Sequence, residues 1–232
     1  MSRGGFMQYR LLTLVISLLV ITTTTMSAPD KITKGWLWMA VPTGGGGQCG
    51  KDATGDDWLK KVDDNVTEVQ IAKNGAQAGD KVGDKVWTKG DISGDCCNNV
   101  NNTINAIGLG NDNNNDLIVS YALIALDSPE KQIGKDLHTG SGDAIKVWLN
   151  GEVVQEIKKN RGAGDFQEQT KISLKKGENL LLVAVYECGG GWSMYVGIDA
   201  EFQTKQPSQA IDSAVDLTDK LVTVWSKIKN SN

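Results

Sequence analysis

The stretch DAIKVWLNGEVVQEI (Asp143–Ile157), followed by RGAGDFQEQTKISLKKGENLLLVAVYECGGGWSMYVG (Arg161–Gly197), decides the fold of this chain. Short apolar segments alternate there with Asn-Gly, Lys-Gly and Gly-Gly-Gly turns, and no segment is long enough for a sizeable helix. The Asn150-Gly151 pair is the strongest two-residue hairpin signal, because both residues take positive φ in such a turn. The stretch therefore predicts a series of short antiparallel strands.

Upstream segments extend the same pattern. Leu117–Leu126 (LIVSYALIAL) is apolar on both faces, which predicts a central strand covered from both sides. Lys34–Val41 predicts a first strand, Val66–Ala72 an edge strand, and Lys131–His138 a strand beside the central one. About eight or nine strands at this spacing predict an all-β fold, a jelly-roll antiparallel β-sandwich.

Three segments depart from this strand pattern. Asp56–Lys61 predicts one helical turn capped by Asp56, and residues 74–115, rich in Gly, Asp and Asn, predict irregular loops. After Pro207, apolar residues recur at helical spacing from Ile211 to Ile228, which predicts a C-terminal amphipathic helix. That helix would pack on its own domain or mediate self-association.

The N-terminus has the features of a processing segment. The apolar run Leu11–Ile21 is shorter than the ~20 residues that span a bilayer, and Met26-Ser27-Ala28 fits the small-x-small cleavage rule. We therefore expect a signal peptide at 1–28, a sandwich domain at 29–204 and a helical tail at 205–232. The mature chain would be secreted or extracellular, with the periplasm or cell surface also open and an uncleaved anchor as the alternative.

Charge and cysteine content narrow the class of protein. The net charge is -4 and the basic residues are interspersed with acidic ones, so no basic stripe suits nucleic acid. Four cysteines in an exported chain predict two disulfides, and a metal site lacks the C-x-x-C spacing. Because adjacent cysteines form a strained ring, we expect Cys49 and Cys188 each to pair with one of Cys96 and Cys97.

Several turn and core motifs resemble those of a known group of sandwiches. The motifs are Trp148-Leu149-Asn150-Gly151, Asn160-Arg161-Gly162 with Asp165, Leu174–Val183 and Gly191-Trp192. They resemble galactose-binding-domain-like jelly-roll modules, which occur as sugar-binding domains of family 2 glycoside hydrolases and as free-standing secreted bacterial modules. The resemblance covers residues 140–200, is thin over 33–45 and is absent over 74–115. It implies the jelly-roll fold and carbohydrate binding.

Tryptophans are the candidate ligand contacts. The chain has seven, and an indole favours half-exposed positions because its N–H needs a partner. Trp192, Trp58 and Trp87 lie next to glycine-rich or acidic loops and are predicted to contact a glycan or polysaccharide, with burial in the core as the alternative. Arg161 and Asp165 are expected to bridge each other and hold their loop, with ligand contact as the second possibility.

A calcium site is the candidate cofactor site. Asp112, Asn114 and Asp116 lie at alternate positions of the Gly108–Asp116 loop, and hard oxygen ligands at such spacing suit calcium. No bidentate Glu follows at the EF-hand distance, so a solvated loop is the alternative. The expected cofactor is therefore at most a structural calcium.

The sequence offers no catalytic residues. The chain has one histidine, His138, and no Ser or Cys in a context that indicates activation. The leading hypothesis is a secreted carbohydrate-binding module that is not an enzyme. The alternative is a structural or adhesive extracellular surface protein that attaches or self-assembles through the sandwich and the tail helix, and a hydrolase is the third possibility.

Overall fold

The computed structural model describes residues 28–44, 48–95, 97–110 and 115–208. The expected signal peptide and all but the first residues of the expected helical tail lie outside these ranges, as do Cys96, Asp112 and Asn114. The expectations for those segments stay predictions.

The described residues form twelve β-strands and three α-helices. The strands are β1 (Trp36–Pro42), β2 (Lys81–Val82), β3 (Lys85–Val86), β4 (Thr88–Gly90), β5 (Ile118–Ser128), β6 (Gln132–Gly142), β7 (Ala144–Leu149), β8 (Glu152–Ile157), β9 (Glu168–Leu174), β10 (Gly177–Glu187), β11 (Ser193–Ile198) and β12 (Gln203–Lys205). The helices are α1 (Trp58–Val62), α2 (Glu68–Asn74) and α3 (Asn99–Ala106), and a 3-10 turn covers Gly50–Ala53.

The strands form two facing sheets and one separate hairpin. The large sheet has seven strands in the order β4-β1-β5-β10-β7-β8, with β12 pairing to the end of β5 beyond β1. The small sheet has the order β11-β6-β9, and β2 pairs only with β3. Every pair is antiparallel. This confirms the predicted antiparallel all-β sandwich, whereas the finer assignment to a jelly roll stays a prediction.

The large sheet is covered on both faces. One face packs against the small sheet through a cluster that includes Ala122, Ile124 and Val183. The other face packs beneath α1, α2 and the β2–β3 hairpin through a second cluster that includes Tyr121 and Leu123. Successive β5 residues therefore enter opposite clusters, as the strand period of two requires. The prediction of a central strand covered from both sides is confirmed.

The hairpin between β7 and β8 also follows the sequence. Asn150 and Gly151 have φ of 55° and 90°, which is the backbone that the Asn-Gly pair predicts. Val147 packs between the two sheets, whereas its neighbour Trp148 packs on the opposite face beneath the helices. The strand register is set by this alternation, because a shift of one residue would exchange the two faces.

The predicted edge strand Val66–Ala72 is wrong, because these residues enter helix α2. Thr67 caps the helix: its side chain accepts the N–H of Gln70, and the Gln70 side chain accepts the N–H of Thr67 at 2.8 Å. This reciprocal capping box starts a helix, and Ala72 then packs onto the large sheet. The imperfect alternation of apolar residues was a weaker signal than the cap.

The regions predicted to be least regular contain more structure than expected. The helical turn predicted at Asp56–Lys61 is present as α1. Its cap is Asp57 rather than Asp56, because the Asp57 side chain accepts the N–H of Lys60. Residues 74–115, predicted as loops, contain α3 and the short strands β2 to β4. Helix α3 packs against β11 through amide side chains and through Val100 and Ile104, which are buried in the cluster between the sheets. Their spacing, continued by Ile107, is typical of a helix.

The predicted cysteine pairing is also wrong. Cys49 bonds directly to Cys188, with their Cα atoms 4.6 Å apart. Cys97 is disulfide-bonded too, and no described cysteine is free. The direct pairing is possible because the 3-10 turn after Cys49 packs against β10, immediately before Cys188. Sequence spacing cannot show that proximity, since the two cysteines are 139 positions apart in the chain.

Candidate functional site

A small pocket lies at the end of the sandwich where β5 begins, β10 ends and α3 begins. Its volume is about 90 Å³, which is room for a cation with a few waters or for one edge of a sugar ring. We call it the Glu187 pocket, and its lining residues are Asn98, Asn101, Asn115, Asp116, Glu187, Gly190 and Trp192. Larger grooves exist, but none of those in the described part of the chain is lined by a buried ionisable side chain without a partner.

Glu187 is the last residue of β10 and is buried at the bottom of the pocket. Strand alternation places Val185 and Glu187 on the face toward the small sheet, whereas Tyr186 packs on the other face. Glu187 is only 2% exposed, and neither of its carboxylate oxygens has a hydrogen-bond partner. A buried polar group without a partner is costly, so this side chain is the strongest indication of a ligand.

Negative charges close to the pocket disfavour the ionised form of Glu187. Burial raises the pKa of Glu187 to about 8, and the negative charges of Asp143 and Asp116 add to the shift. The backbone N–H of Gly189 opposes the shift without reaching hydrogen-bond geometry. Three acidic side chains therefore lie at one end of the sandwich, and a cation placed among them would favour the ionised form of Glu187.

Asp143 is engaged with two neighbouring loops. It precedes β7 and is 8% exposed. Its Oδ1 accepts the backbone N–H of Arg161 at 2.7 Å, and its Oδ2 accepts the backbone N–H of Cys188 at 3.1 Å. Asp143 therefore has partners for both oxygens, in contrast to Glu187.

Asparagines form the wall of the pocket on the α3 side. Asn98 has a φ of 68°, and its Oδ1 accepts the backbone N–H of Trp192 at 3.0 Å. Asn99 exchanges two hydrogen bonds with the backbone of Met194, at 3.0 and 2.9 Å. These bonds hold the start of α3 against β11, and they keep amide oxygens and amide N–H groups at the pocket.

The pocket has oxygen donors and no nitrogen or sulfur donors suited to a transition metal. Among the residues that the structure describes, no group of three or more His, Cys, Asp and Glu side chains is arranged to hold a metal ion. A cation here would need Glu187 and Asp116 together with amide, backbone or water oxygens. Calcium accepts such mixed oxygen ligands, so it is the cation that fits this lining.

The predicted tryptophan contacts do not have exposed rings. Trp58, Trp87 and Trp192 are 4%, 1% and 1% exposed, so all three rings are buried, as the alternative of burial in the core has it. Trp58 satisfies its N–H internally, with the carbonyl of Ala53 at 2.8 Å, as Trp192 does with Val185 at 3.3 Å. Trp192 lines the Glu187 pocket, whereas Trp58 and Trp87 pack on the far face of the large sheet. Their contact with a ligand stays a prediction.

The other predicted site residues are partly brought together. Arg161 and Asp165 do not bridge each other as expected: Arg161 pairs with Glu168 at 2.6 Å, and Asp165 pairs with Lys31 at 2.7 Å. Each therefore ties its loop to a different neighbour. Of the three predicted calcium ligands, Asp116 lies in the Glu187 pocket, and the other two lie outside the described residues.

Sequence reasoning missed Glu187 and Asp143. One signal was present, because Glu187 directly follows the apolar run LLLVAVY (Leu180–Tyr186). A carboxylate that continues a strand buried on both faces must be buried as well. Asp143 gave no comparable signal, since its role depends on loops that are distant in sequence.

A second buried carboxylate, Glu68, lies on the opposite face of the large sheet. Its Oε1 accepts the hydroxyl of Tyr121 at 2.6 Å, and its Oε2 lies 3.5 Å from the Lys146 ammonium group. Burial raises the pKa of Glu68 to about 7, against the opposing effects of Tyr121 and Lys146. Glu68 is thus a partnered core residue that attaches α2 to the sheet.

Comparison with known proteins gives weak structural likenesses only. No protein-family model and no curated protein sequence matches this chain. The PA14 domain of the MpAFP antifreeze protein is similar over 82% of this chain and 100% of that chain, at 12% identity and a TM-score of 0.45. A PA14 sugar-binding domain from an RTX adhesin is similar over 74% and 94%, at 15% identity and a TM-score of 0.41.

A third likeness is to a β-glucosidase from Kluyveromyces marxianus in complex with glucose. It covers 37% of this chain, which spans only 11% of that chain, at 18% identity and a TM-score of 0.31. At these TM-scores and identities, the likenesses assign neither a family nor a function to this chain. Within the described residues, no helix is long and apolar enough to cross a membrane.

Proposed function

We propose that this chain is a secreted carbohydrate-binding module without catalytic activity, and that its ligand site is the Glu187 pocket. The observation that carries the proposal is the buried Glu187 carboxylate, which has no partner and lies among amide and carboxylate groups. A calcium ion bound here would neutralise the carboxylates and leave coordination positions for a ligand.

The chemistry of the lining suits sugar hydroxyls. A hydroxyl donates one hydrogen bond and accepts others, so it pairs with the amide groups of Asn98 and Asn101 and with the carboxylate of Asp116. Neighbouring hydroxyls of a sugar are also hard oxygen ligands, the class that calcium prefers. The resemblance to galactose-binding-domain-like modules agrees with this ligand class.

The absence of catalysis is proposed from the state of the carboxylates. Hydrolysis of a glycoside needs two carboxyl groups, one acting as acid and the other as base or nucleophile. Asp143 accepts two backbone N–H groups, so both of its oxygens hold loops in place. Secretion is supported by the N-terminal segment and by the Cys49–Cys188 disulfide, which is typical of oxidising compartments.

Terbium binding tests the cation site. Terbium(III) substitutes for calcium and luminesces when a nearby indole transfers energy to it, and Trp192 lines the pocket. We expect wild-type protein to sensitise terbium emission and calcium to compete for the site. Glu187→Gln should weaken terbium binding by at least about tenfold, whereas the exposed control Glu152→Gln should bind like wild type. Equal binding by both variants would remove Glu187 from the site.

Glycan binding tests the ligand class. We expect the folded protein to retain a subset of polysaccharides on a glycan array in the presence of calcium, and to release them in EDTA. Glu187→Gln should lose the same subset. A folded wild-type protein that retains no glycan in calcium would contradict the proposed function.

A further inference from the structure

The loop of residues 161–166 lies in a groove on the outer face of the small sheet. The groove exists because three strand positions are glycines. A Cβ on Gly140 would overlap the carbonyl oxygen of Gly164, and a Cβ on Gly197 would lie 2.7 Å from the ring of Phe166. A side chain at either position would therefore push the loop off the sheet.

The third glycine, Gly142, brings this loop next to the loop that carries the pocket. A Cβ on Gly142 would lie 2.8 Å from the carbonyl oxygen of Gly191 and 3.0 Å from the backbone nitrogen of Ala163. The two loops thus approach each other across Gly142, and Asp143, the next residue, is placed to reach both.

Asp143 connects the two loops through backbone hydrogen bonds. It accepts the N–H of Arg161 from the 161–166 loop and the N–H of Cys188 from the loop 188–192. Cys188 is also bonded to Cys49, and Asn160 accepts the N–H of Lys51 at 2.6 Å. The end of the sandwich that carries the Glu187 pocket is therefore a set of cross-linked loops, with a buried carboxylate between them.

We propose that Asp143 is a positioning residue for the Glu187 pocket: it fixes the loop 188–192 against the 161–166 loop and so holds Gly190 and Trp192 in place. This inference rests on the proposed function for the identity of the ligand, but the coupling between the loops is a property of the protein alone. A carboxyl group has two oxygens and can accept hydrogen bonds on both, so the one Asp143 side chain joins two glycine-rich loops.

The experiment removes one of the two hydrogen bonds without altering Asp143. Arg161→Pro deletes the backbone N–H that Asp143 accepts, because proline has none, and it also deletes the Arg161 side chain. Arg161→Ala deletes the same side chain and keeps the N–H, so it is the matched control. Amide hydrogen exchange across residues 188–192, measured in EDTA, reports the order of the pocket loop without any cation.

We expect the Cys188 amide to exchange roughly tenfold faster in Arg161→Pro than in Arg161→Ala. Terbium affinity should fall by a similar factor in Arg161→Pro alone. Asp143→Asn, which retains one acceptor oxygen, should show faster exchange and weaker binding together.

Two results would overturn the positioning role. The first is equal exchange across 188–192 in Arg161→Pro and Arg161→Ala. The second is an Asp143→Asn variant that loses terbium affinity with unchanged exchange, which would make Asp143 a direct ligand. If wild-type protein binds no terbium, the proposed function fails, and the exchange comparison in EDTA alone decides the coupling.

Discussion

Glu68 is a buried, partnered residue whose contribution to stability depends on pH. Its folded-state pKa is about 7, above its ordinary value of 4.5, because it is buried beneath α2. The folded protein therefore holds this proton more tightly than the unfolded chain does. The resulting stabilisation is complete below pH 4.5 and is lost as the pH rises through 7.

Glu68→Gln should flatten this dependence, since glutamine does not titrate and still offers an oxygen to Tyr121. We expect the free energy of unfolding of wild type, relative to Glu68→Gln, to fall by roughly 3 kcal/mol between pH 4.5 and pH 8. Urea unfolding of both proteins at the two pH values measures it. A difference between the two proteins that does not change with pH would contradict the shifted pKa of Glu68.

At the scale of single residues, the sequence shows which side chains are present but not what surrounds them after folding. The excess of tryptophan was visible, but burial depends on what covers each ring. Trp58 and Trp87 are covered by the layer of α1, α2 and the β2–β3 hairpin, which the sequence analysis did not anticipate. Asp116 was predicted as an oxygen ligand for calcium, and it does lie in the Glu187 pocket. Glu187 itself was not predicted.

At the scale of elements, α2 depends on its N-terminal cap. The helix has seven residues, too few to be stable by helix propensity alone. Its capping box and its contacts with the large sheet must therefore stabilise it together. A short capped helix of this kind is easily mistaken for a strand, because five or six residues are too few to distinguish the helical period from the strand period.

Thr67→Ala removes the side-chain acceptor of the capping box and should destabilise the protein by about 1 kcal/mol. Thr67→Ser retains the hydroxyl and should lie within about 0.5 kcal/mol of wild type. Urea unfolding of the three proteins checks this prediction. It fails if the alanine and serine variants unfold at the same urea concentration.

A second prediction at the scale of elements concerns the groove beneath the 161–166 loop, where three strand positions are glycines. Gly140→Ala places a methyl group against the carbonyl of Gly164 and should cost about 2–3 kcal/mol, the range for an overpacked site. Gly162→Ala, within the loop itself, meets no atom within 4 Å and should change stability by less than about 0.5 kcal/mol. Thermal unfolding of both variants compares them. Similar melting temperatures would show that the loop does not pack on the sheet.

At the scale of the whole molecule, the Cys49–Cys188 bond closes most of the chain into one loop. It joins residues 139 apart, so it restricts the unfolded chain strongly in the chain-entropy model. Replacing both cysteines by serine should lower the free energy of unfolding by about 4 kcal/mol. Urea unfolding of both proteins measures the loss. A loss below about 1 kcal/mol would show that the unfolded chain gains little freedom.

The fold was predictable where strand signals are local and where both faces are buried. The hairpin at Asn150-Gly151 and the central strand β5 are such cases, because turn chemistry and apolar content act within a few residues. The disulfide and the Glu187 pocket were not predictable, since each depends on segments that meet only after folding. Glu187 and Asn98, for example, belong to one pocket although they are 89 positions apart in the chain.

The order of strands in the large sheet has a consequence for biosynthesis. Strand β5 lies between β1, about eighty residues earlier, and β10, about sixty residues later. During translation the middle of the sheet therefore has one open side until Glu187 has left the ribosome. A nascent chain that stays incomplete for so long remains threadable through a translocation channel, and it needs protection from aggregation until its last long strand arrives.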